Sequence, residues 1–185
     1  MDIAKTNISK KLKLTGERIY LRIMEESDAT EAYCSWLNDP KVNRFLVTKS
    51  STINELRDYI AKKIGQSDIL FLGIFLKDGD KHIGTITLRG IDLASGKATI
   101  AMMIGNKNYW GKGLIGEAMR LLIDYSFREL GLKEINLGVV SQNVSAIRAY
   151  EKMGFSEIGR KLGVKYGDEN YDEIIMALKN KPKIS

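Results

Sequence analysis

Polar and apolar residues alternate in ERIYLRI (17–23), the period of a half-buried strand. The next two segments change to helical spacing. SDATEAYCSWLN (27–38) predicts a helix opened by Ser27 or Asp28 and stopped before Asp39-Pro40. TINELRDYIAKKIGQ (52–66) begins with Thr52 and Glu55, the spacing of a capping box. Period two returns in ILFLGIFLK (69–77) and KHIGTITLRG (81–90), joined by Asp78-Gly79-Asp80 as a hairpin. KATIAMMIG (97–105) is a further strand.

Residues 113–130 carry the longest helical pattern. Ile115, Ala118, Met119, Leu122 and Tyr125 share one face, Glu117, Arg120, Asp124 and Arg128 the other, and Gly131 ends the helix. EINLGVV (134–140) reads as a strand and NVSAIRAYEKM (143–153) as a short helix stopped by Gly154. EIGRKLGVKY (157–166) and YDEIIMALK (171–179) form a final hairpin around residues 167–170. The order β-α-α-β-β-β-α-β-α-β-β is neither a doubly wound alternation nor an all-β layout. It predicts one α/β (α+β) domain over residues 14–180, between a polar tail at 1–13 and a short one at 181–185.

Composition narrows the class of function. The 185 residues are 44% hydrophobic and 28% charged, as in globular proteins that build a core. No apolar run approaches the length of a membrane span, and the polar N-terminus lacks the apolar stretch of a secretory signal. Cys34 is the only cysteine and His82 the only histidine, too few for an internal disulfide or an ordinary zinc site. A cytoplasmic chain without metal is the expectation. The net charge of +6 comes from lysines and arginines interleaved with 23 acids, a solvated surface rather than a nucleic-acid or membrane footprint.

YWGKGLIGEA (109–118) contains a literal G-x-G-x-x-G, at Gly111, Gly113 and Gly116. A dinucleotide site needs the first glycine directly after a strand, and an acid at the end of the next one. Here GNKNYW intervenes, and the nearest downstream acid, Glu134, opens its strand. A P-loop fails because Gly113, not Ser or Thr, follows Lys112. The physical content remains. A glycine turn opening a long helix presents unpaired amides and the positive end of the helix dipole to an anion such as a pyrophosphate.

A second motif, NVSAIRAYEKMGF (143–155), follows one helix and one strand later. Together the two motifs resemble the GCN5-related N-acetyltransferase (GNAT) family, over roughly residues 14–180. The YWGKG form and the segment WLNDPKVNRFL (36–46) look most like its Rim-type branch of ribosomal-protein N-terminal acetyltransferases and small-amine acetyltransferases. The resemblance implies about seven strands and four helices, with two parallel strands, 97–105 and 134–140, splaying around the pantetheine arm of acetyl-CoA. It implies that Trp110, Gly111, Lys112, Gly113, Leu114, Ile115 and Gly116 hold the pyrophosphate, with Ile115 standing where the family has Gly or Ala. Met103 and Ile104 would pair with the pantetheine by main chain, and Asn143 would bond it. Tyr150 would be the general acid beside the thioester sulfur. Trp36, Asn38, Arg44 and Phe45 would wall the acceptor.

The implied activity is direct transfer of acetyl from acetyl-CoA to a primary amine, either a protein N-terminus or a small amine or amino sugar. The alternative is a non-catalytic acyl-CoA-binding module. Relatives in this branch carry Glu where Thr99 stands, so a base would be Asp92, Glu117 through water, or none. The expected partners are acetyl-CoA and the amine, with no metal, nucleic acid or membrane, in a monomer or homodimer.

Overall fold

In a computed structural model the chain is described at residues 11–46, 51–166 and 169–180. Residues 1–10 of the expected 1–13 tail, the tail at 181–185 and part of the last turn lie outside them. Among the described residues, eight strands form one sheet: β1 (Lys13–Thr15), β2 (Ile19–Ile23), β3 (Ile69–Leu76), β4 (His82–Asp92), β5 (Lys97–Ile104), β6 (Glu134–Val140), β7 (Ser156–Tyr166) and β8 (Glu169–Lys179). Their spatial order is β1-β2-β3-β4-β5-β6-β8-β7. Five helices accompany them: α1 (Glu31–Asn38), α2 (Pro40–Asn43), α3 (Ile53–Ile64), α4 (Leu114–Arg128) and α5 (Val144–Lys152).

The α+β class holds, with one strand and one helix more than expected. The added strand, β1, is only three residues long, too short to show a period. The added helix, α2, is a single turn that Asp39 caps and Pro40 starts. Helix α1 also begins later than 27. Asp28 pairs with Arg22 at 2.8 and 2.6 Å and accepts from the Glu25 amide, so it holds a 3₁₀ turn while Thr30 caps the helix. The capping box at Thr52 and Glu55 is present in both directions.

The main core lies between α4 and one face of the sheet, where Leu72, Ile86, Ile100, Leu137, Ala118 and Leu122 are sealed from solvent. A smaller cluster on the other face joins Tyr33, Trp36, Leu56 and Ile60 of α1 and α3 to Phe71. Alternate residues of β5 therefore serve both cores.

One feature of the sheet positions the site. β5 and β6 run parallel, but they pair only from Lys97↔Glu134 to Thr99↔Asn136. β4 stays paired with β5 as far as Ile104, and β8 with β6 as far as Val140. Beyond Thr99 the two strands separate while each keeps its outer neighbour, which opens a V in the middle of the sheet.

Candidate active site

The V exposes main-chain groups that a closed sheet would pair. Groups along a strand point alternately to its two sides. The Gly105 amide donates to Ile83 at 2.9 Å, on the β4 side, so Met103 also faces β4, opposite Thr85. Met102 and Ile104 therefore turn their N–H and C=O toward the V. Of the expected pair Met103 and Ile104, only Ile104 turns its main chain to the V, and Met102 rather than Met103 does so beside it. The Ile104 carbonyl accepts from the Trp110 indole Nε1 at 2.7 Å. Across the V, Glu134 donates to Gly96 on the β5 side, so Gly138 and Val140 face the opening. A glycine at 138 adds no side chain to obstruct it.

At the open end, α4 begins. Gly111 (φ 71°) and Gly113 (φ 73°) adopt the left-handed conformation, which reverses the chain at the helix start. Among the described residues, none of the amides from Gly111 to Gly116 donates to a carbonyl. A Cβ at Gly111 would meet nothing within 4 Å, so the turn is open in front. Unpaired amides at a 15-residue helix's positive end suit an anion. Cationic side chains surround them. Arg18 donates to the Lys112 carbonyl at 2.8 Å, and Arg120 lies along Gly116. Ile115 packs partly against the main core and also lines the groove beside the turn. These features fit the diphosphate of a nucleotide coenzyme.

Glu117 lies behind this turn and faces away from it. Its carboxylate accepts from the Arg18 and Ile19 amides at 2.9 and 3.3 Å and from Arg18 Nε at 2.9 Å. Burial raises its pKa, but the Arg18 and Ile19 donors outweigh that and leave it below the usual carboxylate range. It clamps the approach to β2 onto α4 and is not placed to relay a proton. Asp92 is likewise engaged, accepting from Ala94 and Ser95 in the β4–β5 turn, at the closed end of the V.

Tyr150 projects from α5 into the V. Its hydroxyl lies 3.9 Å from the Met102 sulfur, and burial raises its pKa, so the phenol keeps its proton at neutral pH. Asn143 caps α5 through the Ala146 amide, and it lines the same groove. That groove holds about 570 Å³ and runs from Gly111 and Gly113 past Ile104 and Val139 to Tyr150. A second cavity of about 530 Å³ lies on the α1–α3 face, lined by Tyr33, Leu56, Tyr59, Phe71 and Arg89. Leu46, Met102 and Met103 line both, so the two spaces meet at the V.

A groove that threads a split parallel pair, ends in a diphosphate-type cradle and meets a second cavity beside a phenol has a counterpart among known proteins. The profile described as "Acetyltransferase (GNAT) domain" matches residues 18–156. The chain belongs to the GNAT acetyltransferase family. It is 34% identical over 152 residues to "Uncharacterized N-acetyltransferase p20" of Bacillus licheniformis, covering 79% of this chain and 83% of that one. It is 30% identical over 175 residues to "Probable N-acetyltransferase YjcK" of Bacillus subtilis (strain 168), covering 90% and 97%. In fold it resembles the spermidine N-acetyltransferase from Vibrio cholerae in complex with CoA and spermine. That match has a TM-score of 0.80 and 22% identity, and covers 89% of this chain and 96% of that one. These likenesses establish the family and do not separate its Rim-type branch from its polyamine branch. As a GNAT enzyme the protein is an acetyl-CoA-dependent N-acetyltransferase.

The residues expected around the acceptor divide. Phe45 lines the groove and meets Tyr171 edge-on, and Arg44 lies over the Phe45 ring. Trp36 is buried and lines neither cavity. It packs flat on Gly105, where a Cβ would fall 2.1 Å from its ring, and against His82. Asn38 ties α1 to Ser51, donating to its carbonyl at 2.8 Å and accepting from its amide at 3.2 Å. The sequence reading missed Met102, Arg18 and Tyr59. Strand register was the signal for Met102. Arg18 and Tyr59 are brought in by contacts between distant segments and had no local signal. Among the described residues, no cluster of three or more His, Cys, Asp or Glu could hold a metal, and no helix is long and apolar enough to cross a membrane.

Proposed function

We propose that the protein moves acetyl from acetyl-CoA directly to a primary amine within a ternary complex, with Tyr150 as general acid. The observation that carries this is the position of the Tyr150 hydroxyl beside Met102, where the coenzyme groove meets the second cavity. The amides of Gly111–Gly116 hold the diphosphate, with Trp110, Lys112 and Leu114 shaping the turn. Asn143 and the exposed main chain of Met102 and Ile104 align the pantetheine. The Met102 amide faces the carbonyl oxygen as charge develops on it, a contribution of about 3 kcal/mol for one preorganised donor. Tyr150 protonates the departing thiolate.

The acceptor enters from the α1–α3 face, past Phe45 and Arg44. It is a protein N-terminus, a small amine or an amino sugar. The second cavity carries one carboxylate, Glu55, and one guanidinium, Arg89, among the described residues. A polycation would need a more acidic lining, so this cavity favours an acceptor with a single amine.

Thiol release would be followed with spermidine, a peptide beginning with serine, and glucosamine as acceptors. The expected result is release that depends on the amine, with no acetylated enzyme detected by mass spectrometry during turnover. An acetyl-enzyme that passes its group to the amine would overturn direct transfer.

A further inference from the structure

One half-buried acid at the V has no part in the chemistry above. Glu173 projects from β8 opposite Val140 of β6, and its side chain is 16% exposed. Its carboxylate lies against the bare Cα of Gly138, where a Cβ would fall 2.5 Å from Oε1. Gly138 lines the coenzyme groove, and so does Tyr166 of β7. The Tyr166 hydroxyl donates to Glu173 Oε1 at 2.6 Å. The other oxygen, Oε2, has no hydrogen-bond donor among the described residues, and Lys161 Nζ stands 3.8 Å from it. Glu173 lies on the same face of the sheet as Thr99, Ala101 and Met103, the side from which the acceptor enters. One oxygen is fixed, the other is open, and the whole group sits over the only residue type that leaves it room.

We infer that Glu173 is the proton acceptor for the attacking amine, with Tyr166 as its positioning residue. This rests on the acetyl-transfer reading and supplies the base that Thr99, Asp92 and Glu117 do not. A neutral amine forms the N–C bond, and the carbonyl π pair moves to oxygen. The N–H proton of the cationic adduct passes to Glu173 Oε2. The oxygen pair then re-forms the carbonyl, the C–S bond breaks, and the thiolate takes the Tyr150 proton. Amide and free thiol leave. Glu173 returns its proton to solvent and Tyr150 regains one. The Tyr166 phenol holds its own proton, because burial and then the Glu173 carboxylate both raise its pKa, so it remains a donor throughout. The charged neighbours are Lys161 on β7 and, facing Tyr166, Arg89 on β4.

The test measures kcat against pH for Glu173→Gln and Tyr166→Phe, with the same three amines and with acetyl-CoA affinity followed by calorimetry. Glu173→Gln is expected to lower kcat about 100-fold, remove the acid limb of the profile and leave acetyl-CoA affinity within about twofold. Tyr166→Phe should lower kcat about tenfold and leave the amine KM and acetyl-CoA affinity within about twofold, because the carboxylate loses the donor that orients it. A Gln variant with wild-type kcat and acid limb overturns the inference alone. Should Glu173→Gln no longer bind acetyl-CoA, Tyr166→Phe decides, and a wild-type kcat in that variant sinks the inference. A wild-type protein that releases no thiol with any amine overturns the acetyl-transfer reading, and this inference with it.

Discussion

The two ends of the site are built from different materials. The proposed diphosphate end is main chain: amides from one short turn, made available by two glycines with positive φ and the start of α4. The proposed acceptor end is side chain: Tyr33, Tyr59, Phe71, Arg89 and Met103 arrive from α1, α3, β3, β4 and β5. Recognition by main chain needs a particular backbone path and tolerates the side chains on it, which is why Ile115 can replace a small residue. Recognition by side chain tolerates no such exchange. The coenzyme end can therefore stay fixed while acceptor preference changes.

That contrast can be broken in several ways. The largest effect is expected where the two ends meet. Tyr150→Phe should lower kcat by about 100-fold or more, with acetyl-CoA affinity nearly unchanged, because only proton transfer is removed. Stopped-flow thiol release together with calorimetry separates the two quantities. Comparable rates in wild type and variant would remove Tyr150 from the chemistry.

Next comes the clamp behind the cradle. Glu117→Ala leaves the Arg18 and Ile19 amides without their acceptor and should cost about 3 kcal/mol of stability, measured by denaturant unfolding. If acetyl-CoA affinity falls more steeply than stability, Glu117 also shapes the turn.

The acceptor side has a pH signature of comparable or smaller size. His82 is packed between Phe75, Tyr33 and Trp36, and burial lowers its pKa from 6.5 to about 4. The unfolded chain therefore binds the proton more readily than the folded one between those values. The resulting stability is fully present above about pH 6.5 and is lost as pH falls toward about 4, by at most about 3 kcal/mol. Other acids also titrate there, so the measurement is the difference in thermal-unfolding slope between wild type and His82→Gln. Identical slopes would mean that the ring is solvated.

The smallest effect tests the main-chain claim directly. Gly113→Val forces a β-branched residue into the left-handed region, and should weaken acetyl-CoA binding about tenfold with kcat at saturation little changed. An equal loss in kcat would show that the turn also aligns the thioester.

Seven strands, four helices and the glycine turn of the proposed cradle were legible in the sequence because each rests on local rules. Period two, capping pairs and glycines at a helix start act within a few residues. α2 and β1 escaped because one turn and three residues carry no period. Main-chain partners in the V needed strand register, which shifts the reading by one residue, from Met103 to Met102. Trp36 and Asn38 lie where an acceptor wall was expected, but Gly105 and Ser51, far along the chain, draw them into packing and bracing.

What the sequence determined by itself was which segments would be helix or strand, and where a run of amides would stay unpaired, since adjacent residues decide both. The tertiary structure alone decided how far β5 and β6 remain paired, and which side chains gather where they part. Both depend on contacts between residues tens of positions apart, and chain spacing does not encode which of those contacts packing will make.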